Sequence, residues 1–124
     1  MNNNQIVLKI IRNNKKALTA YGIVDKFQRI KRIQPMTVYR SLNILISEGY
    51  IHRSSHHNSY ILCKFSHAEN DITTLSVCIK CKDIEEVVMD RNKMGLLMNI
   101  LNLKKFNTNK LQQIEIPAIC KTCE

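Results

Sequence analysis

The sequence is short of acid: ten Asp and Glu stand against nineteen Lys and Arg, a net charge of +9. Such an excess suits a polyanionic partner, either nucleic acid or an anionic membrane surface, and charge alone does not choose between them. Also missing is any apolar run near the roughly 18 residues that span a bilayer. Met1-Asn2-Asn3-Asn4 opens neither a secretory signal nor an Arg/Ser-rich transit peptide. These absences give the expectation of a soluble, cytoplasmic protein, and no membrane is expected among its partners. Glycine and proline are scarce, at three and two residues. Beside frequent Ile, Asn and Lys, that scarcity speaks of an AT-rich host genome and says nothing of function. What is present is enough to fold: 44% of the 124 residues are hydrophobic and 23% charged, which permits one compact domain or two very small ones.

The charge is unevenly placed. Residues 1–63 hold ten Lys and Arg with only Asp25 and Glu48, a net +8, whereas residues 64–124 hold nine basic and eight acidic groups, a net +1. A solvated surface usually mixes signs, so an excess confined to one half favours a polyanion-binding module there. Cysteines divide the other way. Cys78-Ile79-Lys80-Cys81 and Cys120-Lys121-Thr122-Cys123 are two C-x-x-C pairs in the second half, and Cys63 stands at the boundary. One such pair is ambiguous between redox dithiol, disulfide and half a metal site. Two pairs can close a tetrahedral structural zinc site, and a disulfide framework would need an oxidising compartment that the N-terminus does not advertise. A segment of about 60 residues buries only about 60% of its unfolded surface, so a metal staple has an energetic reason to exist.

Helical periodicity appears three times in the first half. Gln5 to Ile11 places Ile6, Val7, Ile10 and Ile11 on one side. Thr19 can cap a helix from Ala20 to about Lys31, with Ala20, Ile23, Val24, Phe27 and Ile30 at helical spacing. Pro35 suits the first turn of a third helix and Gly49 its C-terminal stop. In that helix Val38, Leu42, Leu45 and Ile46 share a face, and Met36, Arg40, Asn43 and Ser47 lie opposite, with Thr37 and Tyr39 on the flanks. Two helices joined by a tight turn, the second exposing polar and basic side chains, describe a helix-turn-helix. Tyr50 to Arg53 and Ser59 to Cys63 then read as a hairpin, or wing, with His56 and His57 at its exposed tip. The plainer alternative is a three-helix core with a hairpin and a solvated Arg40; the +8 charge weighs against it. After a polar connection over 64–71, Thr73 to Val77 and Ile84 to Met89 read as strands, Asn92 to Leu103 as an amphipathic helix and Leu111 to Ile116 as a last strand. The helix side with Met94, Leu97, Met98 and Leu101 suits a core or a subunit interface.

Pro35-Met36-Thr37-Val38-Tyr39-Arg40-Ser41-Leu42, followed by Gly49-Tyr50-Ile51-His52-Arg53, Tyr60-Ile61-Leu62-Cys63 and the paired C-x-x-C motifs, resembles the ferric uptake regulator family, and within it the zinc uptake regulators. The resemblance runs over nearly the whole chain in order. It implies an α+β protein: a winged helix-turn-helix DNA-binding domain over 1–63, a hinge over 64–71, and a small dimerisation and metal-binding domain over 72–124. Such a protein is a metal-dependent repressor, not an enzyme, binding double-stranded operator DNA as a homodimer without a small-molecule substrate. By the same resemblance Cys78, Cys81, Cys120 and Cys123 hold structural zinc, and His52, Cys63, His67 and Glu86 hold a second, sensing zinc. Tyr39 and Arg40 match positions that approach DNA, beside Thr37 and Asn43 of the exposed face. Strand alternation does not separate Glu85 from Glu86; only the resemblance selects Glu86. The sequence also departs from the family pattern. Lys82 replaces the glycine that often follows the first C-x-x-C, and the first helix, the Thr-Pro-Gln-Arg-like segment and the histidine-rich run of iron sensors are not matched.

Two imidazoles, a thiolate and a carboxylate make an ordinary tetrahedral zinc set, and the thiolate disfavours harder ions. Two other readings compete. One is a zinc-stapled nucleic-acid-binding module without a sensing metal. The other is a zinc-dependent deaminase, suggested by His67-Ala68-Glu69 and by Pro117 before the last cysteine pair, although that proline does not directly precede Cys120.

Overall fold

A computed structural model describes residues 1–64, 71–107, 111 and 113–124. Helix α1 (Asn3–Asn13) is longer than its apolar repeat because polar groups close its start: Asn2 Oδ1 accepts the Gln5 N–H, and Gln5 Oε1 accepts the Asn2 N–H, each at 2.9 Å. A two-residue strand, β1 (Leu18–Thr19), follows, too short to leave a sequence signal. Thr19 is also the N-cap of α2 (Ala20–Gln28), its Oγ1 accepting the Gly22 N–H at 3.1 Å. Ala20, Ile23, Val24 and Phe27 are buried along α2.

The expected continuation of α2 to Lys31 does not occur. After Phe27 has entered the core, the chain tightens, with the Ile30 N–H on the Phe27 carbonyl at 2.8 Å, and turns toward the next helix. Ile30 is consequently 60% exposed. Helix α3 (Pro35–Ser47) begins with proline in its first turn, as its fixed φ allows. It ends in a Schellman arrangement: Gly49 has φ +81°, the Tyr50 N–H reaches the Leu45 carbonyl, and the Gly49 N–H reaches the Ile46 carbonyl, both at 3.0 Å. That turn aims the chain into the wing, β2 (Ile51–Ser54) and β3 (Ser59–Leu62). β3 is central in the order β1-β3-β2, all antiparallel, which leaves β2 as an edge strand. Val7, Ile23, Phe27, Val38, Leu42 and Ile51, all with no exposed surface, centre the core of this half.

The second half is a three-stranded sheet in the order β5-β4-β6, formed by β4 (Asp71–Cys78), β5 (Ile84–Asp90) and β6 (Gln113–Ala118). β5 runs antiparallel and β6 parallel to β4. Between them, α4 (Arg91–Leu101) starts at Asp90, whose side chain accepts the Lys93 N–H at 2.8 Å, and stops at Asn102 in the left-handed region. Met94 is buried at 2% exposure, whereas Leu96, Leu97, Ile100 and Leu101 remain exposed. An apolar helix with so little of its surface covered needs a further partner.

Lys82 has φ +66°, a conformation that costs a residue with a Cβ about 1–2 kcal/mol. Its N–H bonds the Cys78 carbonyl at 3.0 Å, which closes the turn over the first cysteine pair. The departure from glycine seen in the sequence is therefore a strained one. Lys82→Gly should raise the unfolding free energy by about 0.5–1 kcal/mol, after allowing for glycine's greater freedom in the unfolded chain. Urea denaturation at fixed, saturating zinc checks this, and a less stable variant would contradict it.

Candidate metal centres and nucleic-acid interface

Because β6 runs parallel to β4, the ends of both strands lie side by side, Cys78 opposite Ala118. The residues just beyond them are the two C-x-x-C pairs. The sulfurs of Cys78, Cys81, Cys120 and Cys123 lie within 4.8 Å of one another, with Cys81 Sγ 3.7 Å from Cys120 Sγ. A zinc tetrahedron with Zn–S near 2.3 Å has an S···S edge of about 3.8 Å, so this thiol set fits zinc. The backbone N–H groups of Cys120 and Cys81, each 3.4 Å from Cys78 Sγ, hold the Cys78 thiol down at about 5. Cys123, crowded by the sulfurs of Cys120 and then Cys81, is pushed up to about 12. One thiolate thus forms readily, and another needs a neighbouring cation.

A second donor cluster bridges the halves. The ladder pairs His52 with Ile61 and Ser54 with Ser59, and the Cys63 N–H continues it onto the Tyr50 carbonyl at 2.9 Å. The hairpin therefore centres between His56 and His57, and His52 and Cys63 are diagonal neighbours on one face. Glu86, on β5, points at that face. Its Oε2 is 2.8 Å from His52 Nε2 and 3.7 Å from Cys63 Sγ, and its Oε1 accepts the Lys64 N–H at 3.2 Å. Glu86 is buried, its side chain only 1% exposed, while Glu85 is exposed. The ambiguity that alternation left is thus a matter of packing: Glu86 faces the wing and Glu85 faces solvent. Imidazole nitrogen, thiol sulfur and carboxylate oxygen lie within 4.8 Å of one another, a donor set that fits zinc. His67 and the His67-Ala68-Glu69 tract lie outside the described residues. The remaining deaminase feature does not suit catalysis, since all four paired cysteines converge on one closed site and a catalytic zinc keeps a position open.

The nucleic-acid candidates lie on the other side of the wing. A groove of about 540 Å3 opens between α2, α3 and the hairpin, lined by Tyr21, Tyr39, Asn43, Arg53 and Asn58 among others. Tyr39 is half-buried against the core, Thr37 is half-buried, and Arg40 is exposed outside the groove lining. Sequence reasoning missed Arg53, which bonds Asn58 Oδ1, and Tyr21, which is exposed at the start of α2. Nothing distinguished Arg53 from the nine other cations of its half; a lone exposed tyrosine beside a cap was the available signal for Tyr21. His57 needs a correction. It is half-buried rather than a free tip residue, with Nε2 3.2 Å from the Cys78 carbonyl.

Helix-turn-helix, wing and thiol-rich sheet together define a winged-helix protein whose wing is fastened to an α+β domain through metal-type donors. The ferric uptake regulator family model matches residues 2–116. The chain belongs to that family. It is 25% identical over 118 residues to the zinc uptake regulation protein of Escherichia coli K12, covering 94% of this chain and 68% of that one. In fold it is similar to a zinc uptake regulator complexed with zinc and DNA, at TM-score 0.80 and 23% identity, over 99% of this chain and 81% of the other. It is also similar to holo XcZur, at TM-score 0.76 and 23% identity, over 99% and 84%.

Ionising Cys123 is the costly step in assembling the thiolate set, so zinc uptake near neutral pH displaces its proton and the apparent affinity rises with pH. Chelator competition on the whole protein should show about tenfold tighter binding, or more, at about pH 7.5 than at about pH 6.5. Below about 5, protonation of Cys78 steepens the dependence. A pH-independent affinity would contradict the assignment.

Proposed function

We propose that this chain is a zinc-responsive transcriptional repressor that binds operator DNA as a homodimer. The observation that carries this reading is the position of His52, Cys63 and Glu86, whose donor atoms meet although two belong to the basic half and one to the cysteine-rich half. In this reading residues 1–63 form the DNA-binding domain, 64–71 the hinge and 72–124 the dimerisation and metal-binding domain. Cys78, Cys81, Cys120 and Cys123 hold structural zinc. His52, Cys63 and Glu86, with His67 as the fourth candidate, hold a regulatory zinc. The exposed apolar side of α4, including Leu97 and Leu101, supplies the surface for a second copy. No covalent step is required of the protein, and the reading places it among non-enzymatic, cytoplasmic regulators.

The chain's own groups explain the response. His52 sits on β2, Cys63 directly after β3, and Glu86 on β5, so their convergence fixes how the wing lies against the sheet. Bound zinc would supply positive charge at the point where a buried carboxylate and a thiolate meet, favouring the orientation in which all donors converge. With α3 held relative to the dimer axis, two copies can set their α3 helices into successive major grooves, about 34 Å apart. Arg40 is then free to reach base edges or phosphates, and Tyr39 and Asn43 line the adjoining groove. DNA affinity rises by population shift.

Cys63→Ser separates the two metals. The variant should stay folded and dimeric with one zinc per chain, because the four paired cysteines are untouched, and should lose the second zinc. Its DNA affinity at limiting free zinc should fall to that of metal-depleted wild type. Two zinc ions per chain and wild-type zinc dependence would overturn the regulatory-site reading. At fixed salt, Arg40→Ala should weaken binding to a duplex selected from a random pool by the zinc-loaded protein, by about 1–3 kcal/mol if Arg40 contacts a base. Unaltered affinity and preference would remove Arg40 from the interface.

A further inference from the structure

The wing has an edge that its own sheet cannot satisfy. Among the described residues β2 pairs on one side with β3 and on the other with no strand, so alternate backbone groups along it must find other partners. Two groups, one on β2 and one just past its end, find β6. Gln113 Nε2 donates to the Arg53 carbonyl at 2.8 Å, and Glu115 Oε1 accepts the Ser55 N–H at 2.7 Å. Gln113 Nε2 also donates to that same Glu115 oxygen at 3.2 Å, which orients it.

The geometry is matched at both ends. Residues 53 and 55 are two apart, as are residues 113 and 115, and in extended backbone residues two apart turn their groups to the same side, so the Arg53 carbonyl and the Ser55 N–H face the side chains of alternate β6 residues together. Ser54, between the two held peptide groups, has no exposed surface. Neither Gln113 nor Glu115 is among the metal-type donors.

We propose that Gln113 and Glu115 are positioning residues for DNA binding: a metal-independent strap that holds the Arg53–Ser55 backbone and thereby sets Arg53 in the groove beside Tyr39 and Asn43. This rests on the DNA-binding reading above. It adds a contact between the halves that does not depend on zinc. Arg53 faces the groove and is steadied at its far end by Asn58, while its carbonyl is fixed from β6. The strap is not needed to fold either half. The winged-helix core is closed by Ile51 and Tyr60 of the hairpin, and β6 is held to β4 through its backbone.

The test uses the full chain, zinc-loaded, and a duplex enriched from a random pool by the wild-type protein. Gln113→Ala should keep the zinc content and dimer of wild type and bind that duplex roughly 3- to 30-fold more weakly, as expected for losing one or two modest hydrogen bonds. The slope of log affinity against log salt should be unchanged, because no phosphate contact is removed, whereas Arg53→Ala should reduce that slope by about one. Glu115→Gln and Glu115→Ala lose the same charge, but only glutamine keeps an oxygen for the Ser55 N–H, so the alanine variant should bind more weakly than the glutamine variant. Wild-type affinity in Gln113→Ala, or equal affinity in the two Glu115 variants, would overturn the strap while leaving the DNA-binding reading intact. Loss of dimer or zinc in Gln113→Ala would assign the residue to folding and likewise overturn it. Failure of wild type to enrich any duplex would instead defeat the DNA-binding reading, and the strap with it.

Discussion

A carboxylate taken out of water must be compensated where it lies, and Glu86 is such a group. It comes from the middle of β5, yet the partners that satisfy it, His52, Cys63 and the Lys64 N–H, all belong to the hairpin or its exit. The cysteine-rich half therefore presents a buried carboxyl group that meets donors of the basic half. This one requirement explains why the wing is a structural element with two occupied faces. Ile51 and Tyr60 go to the helical core, and the opposite face, with His52, Ser54 and Cys63, goes to the sheet.

The paired cysteines solve a different problem. Among the described residues the sheet of the second half has few buried side chains, Ile72, Leu75 and Val77 chief among them, and its helix covers it mainly through Met94. A core of that size leaves little stability after conformational entropy is deducted. The parallel pairing of β4 and β6 answers this by bringing two strand ends together, more than thirty residues apart in sequence, where four sulfurs can share a metal. Thiol spacing and strand direction are thus one device. An antiparallel β6 would carry Cys120 and Cys123 to the opposite end of β4.

Features governed by local chemistry were legible in the sequence. Thr19 as a cap, Pro35 in a first turn, Gly49 as a left-handed stop and the C-x-x-C spacing each follow from the residue's own conformational or ligand preferences. Features set by what packs across a gap were not. Glu85 and Glu86 have equal claims until the wing is seen to cover only one of them, and α2 stops at Gln28 although its apolar repeat runs on to Ile30, which stays exposed. His57 looked like a loop-tip residue because the sheet that half-buries it lies 21 residues away. Gln113 and Glu115 are ordinary polar residues on a strand, and only the edge of β2 gives them a task.

The two kinds of tie between the halves differ in a way that matters for any switch built from them. His52, Cys63 and Glu86 are metal-type donors, while the bonds from Gln113 and Glu115 join side chains to backbone groups and need no metal. A metal shifts an orientational equilibrium only by its differential affinity for the two states, so ties that persist without it reduce the shift it must provide. They also reduce the contrast, because an orientation already favoured by those bonds is populated before any metal arrives. A few modest bonds along a two-residue edge are a suitable compromise. They narrow the range of wing orientations, at about 0.5–1.5 kcal/mol each, without approaching the roughly 5.5 kcal/mol that separates an equilibrium lying 99% one way from one lying 99% the other. The strength of the strap therefore sets how far zinc can move the protein between its two states, and residues remote from both metal-type clusters take part in setting the sensitivity of the response.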